Sequence, residues 1–410
     1  MSIFTYSWLG VNSEGESTSP PLSIAWGGHS VKSGGETPCF QVFRGIDTLH
    51  IGLFVFWDKE ELFTILERAK FDCQADDYKN HPLKLKDFEN FIVYPSGKKG
   101  GYGWHISTAD IHVFFSRHDP RGTTPNVFVE IGSVSCWDRG VFDVLKALEH
   151  LFMLYGGEVI KTSVNRFDPA VDCVGLDIQE TQIFDREKWV KQALTFDLRG
   201  EGRKFSNASF GFSKTSVCGL RIYDKALELK NDPAKRAFFH DLWGISIEDN
   251  VPVTRVEFQL RKDILKELSS VKFEDLAQNL QGIWEYLTTK WFRLCKKVDR
   301  QNIKNAKNTK FWDIITNIKW TDKVIHLERV AKRAKKVIQP LVDQAAGLAI
   351  SIAAYLGQTA EEINQIVDTL AISVKQKLTK DYETRNTDYM NKFLVRQSEA
   401  WDACYDSLIC

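Results

Sequence analysis

The chain lacks both a metal-binding cysteine pattern and an excess of charge. Its eight cysteines include no C-x-x-C pair, which excludes a zinc-finger ligand set and a dense disulfide framework. Lysine plus arginine and aspartate plus glutamate each number 54, so any affinity for nucleic acid must come from local basic patches. No apolar run reaches about 18 residues, and no basic start precedes an apolar stretch. We therefore expect a cytoplasmic protein with reduced thiols and no membrane partner.

Several familiar catalytic motifs are absent as well. The sequence contains no H-x-x-x-H zinc pair, no nucleophile elbow and no Walker phosphate loop. The basic, glycine-rich stretch 98–103 predicts a hairpin turn and does not substitute for a phosphate loop. We therefore do not expect a zinc site of this type, a nucleophile elbow or a phosphate-binding loop in this protein.

What is present predicts three regions. Residues 1–37 form a flexible N-terminal segment, because they are rich in glycine, serine, threonine and proline. Strand and helix patterns alternate over 38–265 with hairpin-like segments, which predicts an α+β fold with a mixed, largely antiparallel sheet and flanking helices. Residues 266–410 predict an α-helical C-terminal region whose role the sequence does not indicate.

Within these regions, the patterns predict individual elements. Helical spacing of apolar residues predicts helices near 139–155 and 186–195. Residues 111–116 and 127–131 predict two paired strands. Residues 345–370 could form a helix-turn-helix, although simple helix packing explains that stretch better, because no diagnostic turn residue is present.

A tyrosine between two cations occupies the stretch 219–228. If this stretch is extended, Arg221, Tyr223 and Lys225 point to one face, because side chains alternate along a strand. Two flanking cations would favour the phenolate, and tyrosine can form covalent enzyme intermediates. The same cations could bind a phosphodiester. The alternative is an ordinary strand in which Tyr223 packs and the charges are solvated.

Three other predicted strands carry an acidic residue among apolar neighbours. These are Glu130, Asp168 and Glu257, and the last two share their faces with Arg166 and Arg255. One interpretation is a cluster of oxygen ligands for Mg²⁺ or Mn²⁺ beside phosphate-binding cations. The other is a solvent-facing sheet surface with cross-strand ion pairs. The spacing alone favours the second interpretation.

Taken in order, the motifs at 165–172, 210–211, 221–228 and 254–263 resemble the replication initiation factor family. This family contains rolling-circle initiators of plasmids and phages and related conjugative relaxases, and the resemblance covers roughly residues 45–265. It implies an HUH/Rep-like nicking and joining domain in which Tyr223 attacks one DNA strand and forms a 5′-phosphotyrosine. It also implies that Asp168 binds a metal, while Glu130 and Glu257 fall on strands where the family carries acidic residues.

By the same resemblance, Arg221, Lys225, Arg166 and Arg255 are candidates for phosphate contacts. The implied cofactor is Mg²⁺ or Mn²⁺, and the implied partners are origin DNA, single-stranded or melted into a hairpin, with a host helicase and replisome, and a second copy in a homodimer. The basic run 329–336 is expected to contribute to nonspecific DNA binding. Alternatives are a relaxase with the same chemistry, a noncatalytic origin-binding protein, and a metal-dependent nuclease without a covalent step.

The sequence departs from the family in two places. Pro169 stands where the family usually has an aliphatic residue, and a proline inside a strand implies an edge or a bulge. The wider superfamily's His-hydrophobic-His metal motif is absent, because His105, His112 and His118 have the wrong spacing. The second departure leaves the identity of the metal ligands open.

Overall fold

The computed structural model describes residues 29–30, 40–75, 79–202, 204–299 and 301–320, together with Asp368, Ile372 and Gln376. The strands of the described residues, in chain order, are β1 (His29–Ser30), β2 (Gln41–Trp57), β3 (His81–Leu85), β4 (Phe88–Val93), β5 (Trp104–Thr108), β6 (Ile111–Phe115), β7 (Val127–Ile131), β8 (Gly157–Val174), β9 (Trp189–Lys191), β10 (Phe196–Glu201), β11 (Lys204–Phe210), β12 (Cys218–Asp224), β13 (Val253–Arg261) and β14 (Phe292–Leu294).

The helices of the same residues are α1 (Glu61–Ala75), α2 (Ser133–Asp138), α3 (Val141–Leu154), α4 (Lys225–Glu228), α5 (Pro233–Trp243), α6 (Lys262–Glu267), α7 (Phe273–Tyr286) and α8 (Lys310–Thr316). Short 3₁₀ turns lie at Ile178–Thr181, Arg186–Lys188, Leu229–Asn231 and Ile303–Asn305, and a π-helical turn lies at Leu287–Trp291.

Two long strands, β2 and β8, pair along most of their length and form the middle of one large sheet. The sheet order is β10-β11-β12-β13-β8-β2-β7-β6-β5-β4-β3, with β1 added to β2, and every described pairing is antiparallel. The α+β prediction with a largely antiparallel sheet is therefore confirmed for the described residues. The predicted pairing of 111–116 with 127–131 is also confirmed, as β6 with β7.

One face of this sheet is apolar and is covered by three helices. Phe63 of α1 and Phe152 of α3 both contact Phe115 of β6, and Trp284 of α7 meets Phe258 of β13 edge to face. All five rings are buried. Burial of this much aromatic surface is the main stabilising contribution that the sheet and helices make to each other.

The opposite face is polar in its middle and is partly covered by α2 and α5. Gly45 of β2 leaves room for the Trp137 ring of α2, since a Cβ at Gly45 would lie 2.7–2.9 Å from its ring atoms. From α5, the Trp243 indole N–H donates to Asp172 of β8 at 3.0 Å. These two helices decide which polar side chains remain accessible.

The proline in β8 behaves as the sequence indicated. β8 is a central strand, and the register of its pairing with β2 shifts between Ile46 and Thr48, opposite Pro169. The bulge implied by a proline inside a strand is therefore present. The extra residue is Asp47, whose carboxylate joins the polar face.

One predicted helix is wrong. Residues 186–195 were expected to be helical, but only Arg186–Lys188 make a 3₁₀ turn, and β9 follows and pairs with β14. The reason lies in Trp189, whose indole N–H donates to the Ile183 carbonyl at 2.7 Å while its ring packs edge to face on Phe210. Tertiary packing overrides the local helical spacing here. The helix predicted near 139–155 is confirmed as α3.

The chain divides into two compact units, Met1–Arg329 and Val330–Cys410. α7 lies beyond residue 265, the predicted limit of the catalytic domain, and packs its buried face, including Trp284, onto the sheet. β14 also interrupts the helical pattern that was expected from 266 onward. The basic run 329–336 and the stretch 345–370 lie outside the described residues, apart from the single residue Asp368. No helix among the described residues is long and apolar enough to cross a membrane.

Candidate active site

The polar face of the sheet brings side chains from five neighbouring strands into register. We define it by Tyr223 on β12, Glu257 on β13, Asp168 on β8, His50 on β2 and Glu130 on β7. Residues paired across antiparallel strands lie on one face, and the pairs here include Tyr223 with Arg255, Arg221 with Glu257, and His50 with Glu130. Three of the four acidic or tyrosine residues predicted from the sequence thus lie on adjacent strands.

Tyr223 is partly buried, and its hydroxyl donates a hydrogen bond to Glu257 Oε2 at 2.9 Å. Burial and the Glu257 charge raise the pKa of Tyr223 well above its ordinary value. The phenol is therefore neutral at rest, and the sequence-based expectation that flanking cations favour the phenolate does not hold. An attack by this oxygen requires a proton acceptor, and Glu257 occupies that position.

Arg221 lies on the same face as Tyr223, as predicted, and pairs with Glu257 through Oε1. The two oxygens of the Glu257 carboxylate are thus divided between a tyrosine hydroxyl and a guanidinium. The Arg221 side chain is still 36% exposed, so part of the guanidinium can be approached from solvent. This arrangement fixes the carboxylate toward the phenol.

Lys225 does not follow the alternation that the sequence indicated. β12 ends at Asp224, whose carboxylate caps α4 by accepting from the Leu227 N–H at 2.9 Å, so Lys225 is already helical. Its ammonium is buried, lies 5.7 Å from the Tyr223 ring centroid and pairs with Glu228 at 2.7 Å. Burial and the nearby Arg255 charge lower the pKa of Lys225. The Lys225 ammonium therefore lies near the tyrosine ring but is too deeply buried for a phosphate to contact it.

Arg255 is fully buried and has its donors engaged within the protein. Its Nε and Nη2 donate to the Asp172 carboxylate at 2.5 and 2.7 Å, and Nη1 pairs with Asp47. The guanidinium also lies 4.8 Å from the Trp137 ring centroid and 4.9 Å from that of Phe239. The phosphate contact predicted for Arg255 would require this network to break, so the geometry favours a structural role instead.

Asp168 is fully buried and accepts from Arg166, whose Nε lies 2.9 Å from Oδ2 and 3.1 Å from Oδ1. Burial raises the pKa of Asp168 to about 8; the Glu257 and Asp47 charges act in the same direction, and Arg166 opposes them. Arg166 is 28% exposed, so its outer edge remains open to solvent. Together they form a partly accessible acid–guanidinium pair one strand away from Glu257.

Glu130 lies farther from the tyrosine, with β2 separating its strand from β8. It pairs with Lys98 and lies 3.8 Å from His50 Nδ1. Burial lowers the pKa of His50 to about 4, so its imidazole is neutral at physiological pH. Glu130 therefore belongs to a second polar group on the same face and does not share a site with Tyr223.

The carboxylates do not form a ready metal site. Glu257, Asp168 and Glu130 are each paired with a cation, namely Arg221, Arg166 and Lys98. In the part of the chain that the structure describes, no three His, Cys, Asp or Glu side chains could together hold a metal ion. As arranged, these residues do not fit a divalent cation.

Sequence reasoning missed several residues that shape this face. His50 and Asp47 stand in a stretch treated only as an apolar strand, although the same alternation rule would have placed His50 opposite Leu49 and Ile51. Lys98 was assigned to a plain turn. Trp137 and Trp243 gave no signal, because each reaches the site from a helix distant in sequence.

Comparisons with known proteins give little support for an assignment. No protein-family model matches the chain, and no curated protein matches it. Among solved structures, the chain is similar to a rolling circle replication initiator protein from Geobacillus stearothermophilus, with 17% identity and a TM-score of 0.39. The match covers 69% of this chain and 100% of that chain. A likeness this distant carries no weight for function.

Proposed function

We propose that the protein is a rolling-circle DNA replication initiator that nicks and rejoins single-stranded DNA through a covalent phosphotyrosine. The observation that carries this proposal is the chain Tyr223–Glu257–Arg221. A partly accessible nucleophile donates to a carboxylate, and a guanidinium orients that carboxylate. The motifs that resemble the replication initiation factor family support the same assignment.

In the proposed first step, the Tyr223 oxygen attacks the phosphorus of the scissile phosphodiester. Glu257 Oε2 accepts the phenol proton while the new O–P bond forms, and the bond from phosphorus to the 3′ oxygen breaks. The 5′-phosphate remains attached to Tyr223, and the 3′ oxygen takes a proton from solvent to become a hydroxyl. Because burial and the Glu257 charge raise the pKa of the phenol, the attack depends on Glu257 to accept the proton.

Arg221 has a second part in this step. Once Glu257 is protonated, it holds the guanidinium less strongly, and Arg221 becomes available to the phosphate oxygens on which negative charge builds up. Arg166 can approach the same strand from β8, because its guanidinium is partly exposed. The reverse reaction, attack by a 3′-hydroxyl on the phosphotyrosine, rejoins the strand with the same groups in the opposite roles.

The Mg²⁺ or Mn²⁺ requirement stays a prediction from the resemblance. A divalent ion would polarise the scissile phosphate, but it would have to displace Arg166 or Lys98 from the carboxylates described above. Association with a host helicase and replisome and formation of a homodimer are likewise predictions. DNA, single-stranded or melted into a hairpin, is the partner that the proposal requires.

A single-strand cleavage assay tests the proposal. Labelled oligonucleotides from the genetic element that encodes the protein are incubated with it, with Mn²⁺ or Mg²⁺ or with a chelator, and are resolved by denaturing electrophoresis. We expect a protein–DNA adduct that is absent for Tyr223→Phe. Cleavage that persists in Tyr223→Phe would identify a nuclease without a covalent step. DNA binding without any cleavage, with the origin present in the pool, would identify a noncatalytic origin-binding protein.

A further inference from the structure

An exposed aromatic ring lies on the polar face, near the start of the strand that carries Tyr223. Phe212, just after β11, is 39% exposed and packs over Gly219 of β12. A Cβ at Gly219 would lie 2.6–2.9 Å from three atoms of the Phe212 ring, so only glycine leaves room for it there. The Arg221 guanidinium lies 5.4 Å from the centroid of the same ring. Phe212 is thus held in place although much of its surface faces solvent.

The backbone before Phe212 requires a second glycine. Gly211 has φ +78°, a conformation that side chains other than glycine rarely adopt, and a Cβ there would lie 2.5 Å from the Cys218 carbonyl oxygen. The turn at Gly211 directs Phe212 back over the sheet. Two glycines therefore serve to keep one aromatic ring exposed on this face, next to Arg221.

Two unpartnered polar side chains line the same depression as this ring, Gln259 and Arg261 of β13. Gln259 is paired across the strands with Gly219, so its amide lies beside the ring. Within the described residues, neither side chain makes a hydrogen bond or an ion pair. An exposed aromatic ring with a free amide and a free guanidinium is the set of groups that binds a nucleobase and its phosphate.

We propose that Phe212, Gln259 and Arg261 form a nucleobase subsite for single-stranded DNA, in which a base near the cleaved phosphate stacks on Phe212. The Gln259 amide hydrogen-bonds to the edge of that base, and Arg261 contacts the backbone phosphate. Gly219 and Tyr223 are four positions apart on β12, about 13 Å at the usual rise per residue. The subsite therefore holds a base a few nucleotides from the nick. It rests on the proposed function and adds the residues that position the strand.

The test measures binding in protein that carries Tyr223→Phe, so that no cleavage occurs. The probes are a fluorescein-labelled oligothymidylate of about 12 nucleotides and an abasic oligonucleotide of the same length, compared by fluorescence anisotropy. Phe212→Leu keeps an apolar cover over Gly219 but removes the aromatic face. We expect it to weaken oligothymidylate binding about 10- to 100-fold and to leave abasic binding unchanged. Phe212→Trp should retain the affinity.

The matched control is Phe71→Leu, which removes another exposed ring, on α1, and should change neither affinity. Equal losses on both probes with Phe212→Leu, or no loss on either, would overturn the subsite. If Phe212→Leu does not fold, Arg261→Ala is measured in its place. We expect this variant to reduce the slope of log affinity against log salt concentration by about one. An unchanged slope would overturn the proposal. Because binding is read without cleavage, failure of adduct formation would reject the proposed function without rejecting the subsite.

Discussion

Removing the Asp172 charge tests whether Arg255 is a structural residue. In Asp172→Asn, the Arg255 guanidinium stays fully buried. Of the two carboxylates with which it pairs in the described residues, Asp47 and Asp172, only Asp47 keeps its charge. Asp172 also accepts from the Trp243 indole, so the change weakens the attachment of α5 as well. Breaking a buried ion pair by removing one partner costs about 3–5 kcal/mol. That is a large part of a typical unfolding free energy of about 5–15 kcal/mol.

The expected shift in melting temperature follows from this cost. The unit Met1–Arg329 is large, and at about 2.1 cal/mol/K of unfolding entropy per residue about 1 kcal/mol corresponds to about 1.4 °C, so Asp172→Asn should lower the melting temperature by about 4–7 °C. The measurement is a thermal scan by circular dichroism, repeated with urea denaturation followed by tryptophan fluorescence. The matched control is Asp197→Asn, which breaks an ion pair whose side chains are 52% and 76% exposed, and should change stability by less than about 1 kcal/mol.

Two results would refute the structural assignment. The first is a melting temperature for Asp172→Asn that falls no further than that of Asp197→Asn. The second is an Arg255→Met protein with unchanged melting temperature but weakened DNA binding, which would return Arg255 to the phosphate-contact role predicted from the sequence.

Three further changes have definite expected outcomes. Glu257→Gln should slow nicking about 10²- to 10⁴-fold without weakening DNA binding, because it removes the proton acceptor of Tyr223; an unchanged nicking rate in a gel assay would exclude that role. The pKa of Asp168 is raised to about 8 in the folded protein from an unfolded value near 3.8, so the folded state binds the extra proton and stability falls as pH rises between these values. Urea titrations from pH 5 to 9 should therefore show this slope in the wild type and a shallower one in Asp168→Asn, whereas parallel curves would contradict it. Gly45→Ala should cost about 1–3 kcal/mol, because its Cβ would meet the Trp137 ring, while Gly103→Ala, with open space around it, serves as the control in the same denaturation assay.

Part of this site could be read from the sequence because alternation along a strand is a local rule. It placed Arg221 with Tyr223 on one face of their strand and Arg166 with Asp168 on one face of theirs, and the pairing of β12 and of β8 with β13 agrees. The rule failed at Lys225, because β12 ends at Asp224. Asp224 caps α4, so Lys225 is helical and not extended. A capping aspartate and a strand aspartate look the same in a single sequence.

The role of each charge could not be read, because it depends on contacts between distant positions. Arg255 and Asp47 are 208 residues apart, and no local spacing indicates that they pair. The same applies to the helix predicted near 186–195, where Trp189 packs on a strand that follows it. Alternation identifies which side chains share a surface, whereas burial by α2 and α5 decides which of them a ligand can reach.

In the proposed reaction, the pairing of charges on the polar face determines when Arg221 can contact the phosphate. A phosphate that approaches Arg221 competes with Glu257 for the guanidinium, so the exchange of one anion for another yields little net binding energy. The proposed transfer of a proton from Tyr223 to Glu257 during the attack removes this competition. Arg221 is then released when charge develops on the phosphate. Electrostatic stabilisation on this face is therefore greater in the transition state than in the ground state, which is the condition for catalysis.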